Sequence, residues 1–226
     1  MYRYIFILIP LLCACKPNAE TVQKKSGLSV EKKIISRTIH DEMSPLGFWE
    51  IKIEYPTFGD STKNPALKTI NNEISSLAEK YLCDDNKGDK QFIATITFLN
   101  PSIVSIQYSD SWLCAGMPHP DGKIGALTYN VKTGKAFILD EEINAIKKND
   151  FSQNVIAKLN QSLKENGNDS DCGQVSTWSH FYRTDTGLTF VYTPDDYSES
   201  YCTSETQIST KDMGVYLNKT SPLLIQ

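Results

Sequence analysis

The chain has 226 residues, 40% of them hydrophobic and 22% charged, with a formal net charge of −4. This is the composition of an ordinary globular protein with enough apolar residues for a core, and it excludes an intrinsically disordered chain. The mild acidity argues against a nucleic-acid backbone as partner, because phosphates select clustered lysine and arginine.

Residues 1–15 read MYRYIFILIPLLCAC. Arg3 precedes an apolar run of about nine residues from Tyr4 to Leu12, the layout of a secretory signal. A membrane-spanning helix takes roughly 20 apolar residues, so the run is too short to remain as an anchor. It ends in Leu12-Cys13-Ala14-Cys15, which resembles the bacterial lipobox: an aliphatic residue three before the cysteine and a small one just before it. The resemblance implies a diacylglycerol on the Cys15 sulfur and cleavage after Ala14, making residues 1–14 a lipoprotein signal peptide. The competing reading is an ordinary signal cut near Ala14, with Cys15 left as a thiol. Residues 15–30 carry lysines and small polar residues without apolar periodicity and read as a lipidated, flexible tether. The expected location is the cell envelope, with the protein held to the membrane by its lipid. In a Gram-negative cell, Lys16 in place of an aspartate points to the outer membrane, facing the periplasm or the surface. Residues 31–226 then form the exported domain.

That domain keeps Cys83, Cys114, Cys172 and Cys202. An even number in an oxidising compartment reads as two disulfides, and no C-x-x-C spacing suggests zinc. Three pairings are possible. Joining near neighbours, Cys83 with Cys114 and Cys172 with Cys202, closes loops of about 30 residues, each stabilising by roughly 3 kcal/mol in the chain-entropy model.

Residues 34–40 and 48–55 read as strands. The second sets Trp49, Ile51, Ile53 and Tyr55 against Glu50, Lys52 and Glu54, with Pro56 as its stop. Asn64-Pro65 opens a helix whose apolar stripe Leu67, Ile70, Ile74 and Ala78 continues to about Leu82. Residues 84–88 are a turn. Residues 92–98 and 103–108 make a meander broken at Asn100-Pro101, and a loop over 110–123 follows. Residues 124–131 and 135–139 predict a hairpin around Lys132-Thr133-Gly134. A short acidic helix spans 140–147, and a longer one spans 150–166, ended by Gly167. After a polar loop, 178–183 and 188–193 form a further hairpin, and a last strand at 205–209 leads into a short helix at 211–217. Strands grouped in meanders, without strict β-α-β alternation, predict an α+β fold. Its sheet is mainly antiparallel, with two longer helices, short helices and two disulfides.

Three stretches of this body carry a family likeness. They are Ile53-Glu54-Tyr55-Pro56 with Asn71 in the helix; Ala115 to Pro120 running into Leu127-Thr128-Tyr129-Asn130 and Lys132-Thr133-Gly134; and Gly187 to Tyr192 with the tyrosine-rich segment after it. Their order resembles the extracytoplasmic domain of the anti-sigma factor RsiV and its relatives, a unit also found with polysaccharide deacetylases. The family pattern is a Gly-Gly-Ala-His loop, from which this chain departs at Cys114 and Met117-Pro118. The resemblance implies a non-enzymatic binding module, with lysozyme as the sharpest partner. Lysozyme is basic, so an acidic surface would favour encounter.

His119-Pro120-Asp121 is the most site-like constellation, since a histidine and a carboxylate on one loop can make a general acid–base pair. A wall-directed hydrolase centred there is the alternative function, although no nucleophile motif such as G-x-S-x-G accompanies it. The competing structural reading is a Pro-rich turn. Tyr192, Tyr197 and Tyr201 stand beside Asp195, Asp196 and Glu199, a composition suited to a protein or carbohydrate surface, and Trp112 is divided between core and binding. His40 and His180 stand alone in strands, Asn168 to Asp171 lacks calcium-loop spacing, and no glycine-rich phosphate loop occurs. No metal or cofactor is expected. A purely structural role in an envelope assembly is the third reading.

Overall fold

The computed structural model describes residues 27–84, 87–167, 172–194 and 202–224. Helix α1, Pro65–Glu79, starts where Asn64 caps it: the Asn64 side chain accepts from the amides of Ala66 (3.0 Å) and Leu67 (3.4 Å). Its stripe of Leu67, Ile70, Ile74 and Ala78 is fully buried against a five-stranded sheet. The sheet has the order β1-β2-β3-β4-β5. Its strands are β1 Val30–His40, β2 Phe48–Phe58, β3 Gly88–Leu99, β4 Ile103–Cys114 and β5 Asp121–Asn130. Every junction is antiparallel except β2–β3, which is parallel and bridged by α1.

A second sheet, β6 His180–Arg183, β7 Gly187–Tyr192 and β8 Ser204–Ser209, is antiparallel throughout. One face is covered by α3, Lys148–Glu165, where Phe151 meets Trp178, Phe190 and Tyr216 ring to ring. The other side meets β4 and β5 through Ala126, Tyr182 and Val191 and a seam of hydroxyls. In that seam Ser105 Oγ and Thr128 Oγ1 lie 2.9 Å apart, and the Arg183 amide donates to Ser105 Oγ at 3.0 Å. The protein is therefore α+β, with eight strands in two sheets among the described residues. Its short helices are α2, Leu139–Glu142, and α4, Thr210–Met213. Cys83 is bonded to Cys114 and Cys172 to Cys202, the near-neighbour pairing.

Several elements differ from the sequence reading. Pro56 does not stop β2; it lies opposite Lys32 of β1, beyond the four β2 residues that pair with β3. Its missing N–H is therefore not needed by a neighbour on that side. The loop expected at 110–123 is mostly strand, since β4 runs to Cys114 and β5 starts at Asp121. The hairpin expected after residue 124 is reduced to a single bridge, Tyr129 to Ala136. Its Thr-Gly turn is bound elsewhere: Gly134 has φ +72°, and a β-carbon there would come within 2.7 Å of the Ala66 carbonyl, so the turn sits on the first turn of α1. The helix expected at 140–147 divides into α2 and a 3-10 turn, because Ile143 between them bridges to Leu217.

Candidate functional site

Strand direction sorts the loops. β1 begins and β2 ends at one end of the large sheet, together with the start of α1. The opposite end collects the β1–β2 loop, the α1–β3 connection and the β4–β5 loop. The eleven residues of β1 separate the two ends by roughly 33 Å.

The β1–β2 loop is tied down by Asp41. Its carboxylate accepts from the Met43 amide at 2.9 Å and from the Trp49 indole N–H at 3.1 Å. Those two bonds, with Lys87 adding attraction, hold the Asp41 carboxyl below its ordinary range. Ser44 closes the turn by donating to the Phe48 carbonyl at 2.5 Å. With its backbone satisfied inward, the loop turns Met43 and Leu46 outward, 76% and 75% exposed. Facing it, the Cys83–Cys114 disulfide joins the α1–β3 segment to the end of β4. The Ala115 amide donates to the Lys87 carbonyl at 3.0 Å, and the Met117 sulfur accepts from the Cys114 amide at 3.4 Å. Between the two loops lies a groove of about 440 Å³ whose lining includes Met43, Leu46, Trp49, Leu113 and Met117. A second concavity, about 260 Å³, adjoins it across Asp89 and Leu113.

Beneath this end an ion pair is buried in the core. Lys90 Nζ lies 3.0 Å from an Asp110 carboxylate oxygen and donates at 2.6 Å to the Lys80 carbonyl, the C-cap of α1. Burial pushes the Asp110 carboxyl up, and the Lys90 charge pulls the other way. The cation both neutralises Asp110 and meets the negative end of the helix.

The residues singled out from the sequence fare differently. Trp112 is on β4 rather than a loop; it is 7% exposed beside Lys90 and also lines the smaller concavity. His119 is exposed and its Nδ1 lies 3.1 Å from the Pro120 carbonyl. Asp121 accepts from the next amide, Gly122, at 2.7 Å. Neither bonds the other; each side chain bonds to adjacent backbone, as in a Pro-rich turn. Tyr192 ends β7 and packs on the α3-side core. Just after it, Thr193 Oγ1 donates to the Ile124 carbonyl at 2.9 Å, which brings the start of the tyrosine-rich segment to β5, three residues beyond Asp121. Tyr197, Tyr201 and Cys15 lie outside the described residues, as does the polar run 168–171. Met43 and Leu46 are the groove residues that pattern reading passed over. Two large apolar side chains around Pro45 in a turn, belonging to neither strand's alternation, were the available signal. Among the described residues no group of His, Cys, Asp and Glu could hold a metal ion, and no helix is long and apolar enough to cross a membrane.

No protein-family model matches the sequence, and no curated protein sequence matches it. Solved structures do. A DUF3298 family protein from Pseudomonas aeruginosa superposes with TM-score 0.62 at 18% identity, over 87% of this chain and 96% of the other. A DUF3298 family member from Bacteroides fragilis gives 0.61 at 14% identity, over 89% and 98%. The chain has the fold of DUF3298 family proteins. At these identities the likeness is one of fold. It extends over most of this chain and nearly the whole of each neighbour.

Proposed function

We propose that this chain is an RsiV-like envelope lipoprotein: acylated at Cys15, tethered through residues 15–30, and carrying in residues 31–226 a module that binds a protein partner. Lysozyme is the first candidate. The observation that supports this reading is the placement of the exposed apolar pair Met43 and Leu46 beside the β4–β5 loop, at the sheet end away from Val30. A tether entering at Val30 would leave that end pointing off the membrane, within reach of large soluble molecules. Isolated exposed apolar residues are common; two of them bordering one groove support reading this end as an interaction surface. The shared DUF3298 fold supports the RsiV-like assignment made from the order of short motifs.

The test is retention of lysozyme on the full chain displayed on lipid vesicles. Binding at low ionic strength that weakens as salt rises is the expected result. Absence of retention at low salt would remove lysozyme as the partner. Metabolic labelling with palmitate, abolished by Cys15→Ser, tests the anchor independently.

A further inference from the structure

We infer that β1 pairs with β1 of a second copy of this chain, antiparallel and centred on Ile34, to make one continuous ten-stranded sheet from two of five. The inference goes beyond the binding-module reading and does not depend on it.

β1 is the outermost strand of the large sheet, and among the described residues it pairs on one side alone, with β2. It is eleven residues long, so its other side offers a row of backbone N–H and C=O groups to a further strand. The side chains along it stand open: Ile34 is 39% exposed, and Glu31, Ser36, Arg37 and Thr38 are exposed. Edge strands resist pairing through charge, and β1 carries Lys32, Lys33 and Arg37. Two of the three are already met within the chain. Lys32 pairs with Glu54, and Lys33 lies 3.1 Å from Glu79. Arg37 adds only the smallest of the attractions on Glu79. Among the described residues neither Glu31 nor Arg37 has an ion-pair partner.

Those two residues select the register. In a two-fold pair of β1 strands one residue stands opposite itself, and opposite residues share a face. Centred on Ile35, the pairing sets Lys33 against Arg37. Centred on Lys32 or Lys33, it sets a lysine against its own copy. Centred on Ser36, it sets Lys32 against His40 and Arg37 against Ile35. Only the register centred on Ile34 places Glu31 of each copy opposite Arg37 of the other. Lys32 and Lys33 then meet Ser36 and Ile35, and no like charges stand opposite. Residues Val30 to Thr38 pair throughout, with about eight backbone hydrogen bonds between the copies. The exposed Ile34 is covered by its own copy across the axis. A strand edge buries less than a broad face, so the dimer is weak and concentration-dependent. Antiparallel pairing points the two Val30 ends opposite ways, roughly 26 Å apart. The upright placement described above is therefore the monomer's, and the strands of an anchored dimer lie along the membrane.

The test uses the full chain in mild detergent, with single cysteines introduced in turn. Ile34→Cys should form an intermolecular disulfide under mild oxidation, because the two side chains face each other across the axis. Ser36→Cys should stay at the background of the unsubstituted chain, since its two copies lie four residues apart along the strands, roughly 13 Å. Sedimentation velocity reads the charge pair. Glu31→Arg and Arg37→Glu should each weaken the dimer by about fivefold or more, and the two together should restore it. A chain that sediments as a monomer at every concentration would overturn the inference. So would an Ile34→Cys variant that cross-links no better than Ser36→Cys, or a double charge variant no better than the single ones.

Discussion

Asn71, on the second turn of α1, closes both backbone hydrogen bonds of Phe58 at the end of β2: its Oδ1 accepts from the Phe58 amide at 2.8 Å and its Nδ2 donates to the Phe58 carbonyl at 2.9 Å. The side chain stands where a neighbouring strand would be, so β2 can end against a helix without stranded polar groups. It also sets the helix in register with the sheet. Asn71→Ala should lower stability by about 2–3 kcal/mol, because both Phe58 groups lose their partner in a place water reaches poorly. Urea unfolding would show this as a lower midpoint at unchanged slope.

Lys90 and Asp110 form the buried charge pair beneath the candidate groove, with side chains 2% and 3% exposed. Asp110→Asn should cost about 3–5 kcal/mol, since it leaves the Lys90 ammonium buried without its counter-charge. Replacing both, with Lys90→Met and Asp110→Leu, should recover most of that loss. A double-mutant cycle by urea denaturation measures the coupling, and a double variant as unstable as Asp110→Asn would refute the account.

Gly125 exists for Tyr108. A β-carbon at Gly125 would fall inside the Tyr108 ring, which crosses the glycine on the α1 side of the sheet and stacks on Phe92 with centroids 5.4 Å apart. Gly125→Ala should therefore destabilise by about 1–3 kcal/mol through overpacking. Adding Tyr108→Leu should make the alanine nearly harmless. Purely additive effects in thermal unfolding would show that the ring moves aside freely.

His180 links stability to pH. Burial holds its imidazole below the ordinary value, and the Lys123 charge adds to the effect. A base whose folded pKa is depressed binds fewer protons folded than unfolded. Its contribution is full above the unfolded pKa of about 6.5 and is lost as pH falls from there through the folded value. Stability should thus decline on acidification through this window. His180→Gln should flatten that slope in urea midpoints taken between about pH 5 and about pH 7.5. An unchanged slope would assign the decline to other groups.

Much of the local structure was legible because its causes lie within a few residues. Asn64-Pro65 announces a helix start through a side-chain cap and a preset φ, and the 67-70-74-78 stripe identifies the buried face. Alternation from Trp49 to Tyr55 marks a strand with one buried face, and an even set of cysteines behind a signal-like N-terminus reads as bridges. The Asn100 turn is equally local: its side chain accepts from Ser102 at 2.8 Å and Ile103 at 2.7 Å.

What the tertiary structure alone decided is who pairs with whom. Periodicity tells a strand which face it buries but not which strand lies alongside. The parallel β2–β3 junction, the division into two sheets and the passage of β4 through Trp112 to Cys114 depend on contacts between distant segments. The candidate site is of the same kind. His119 and Asp121 are neighbours in the chain and bond only to adjacent backbone. Met43 and Met117 are far apart in sequence and line one groove, because strand direction carries their two loops to the same end of the sheet. Short-range hydrogen bonding and spacing are written in the order of residues, whereas convergence at a surface is a property of the packed whole.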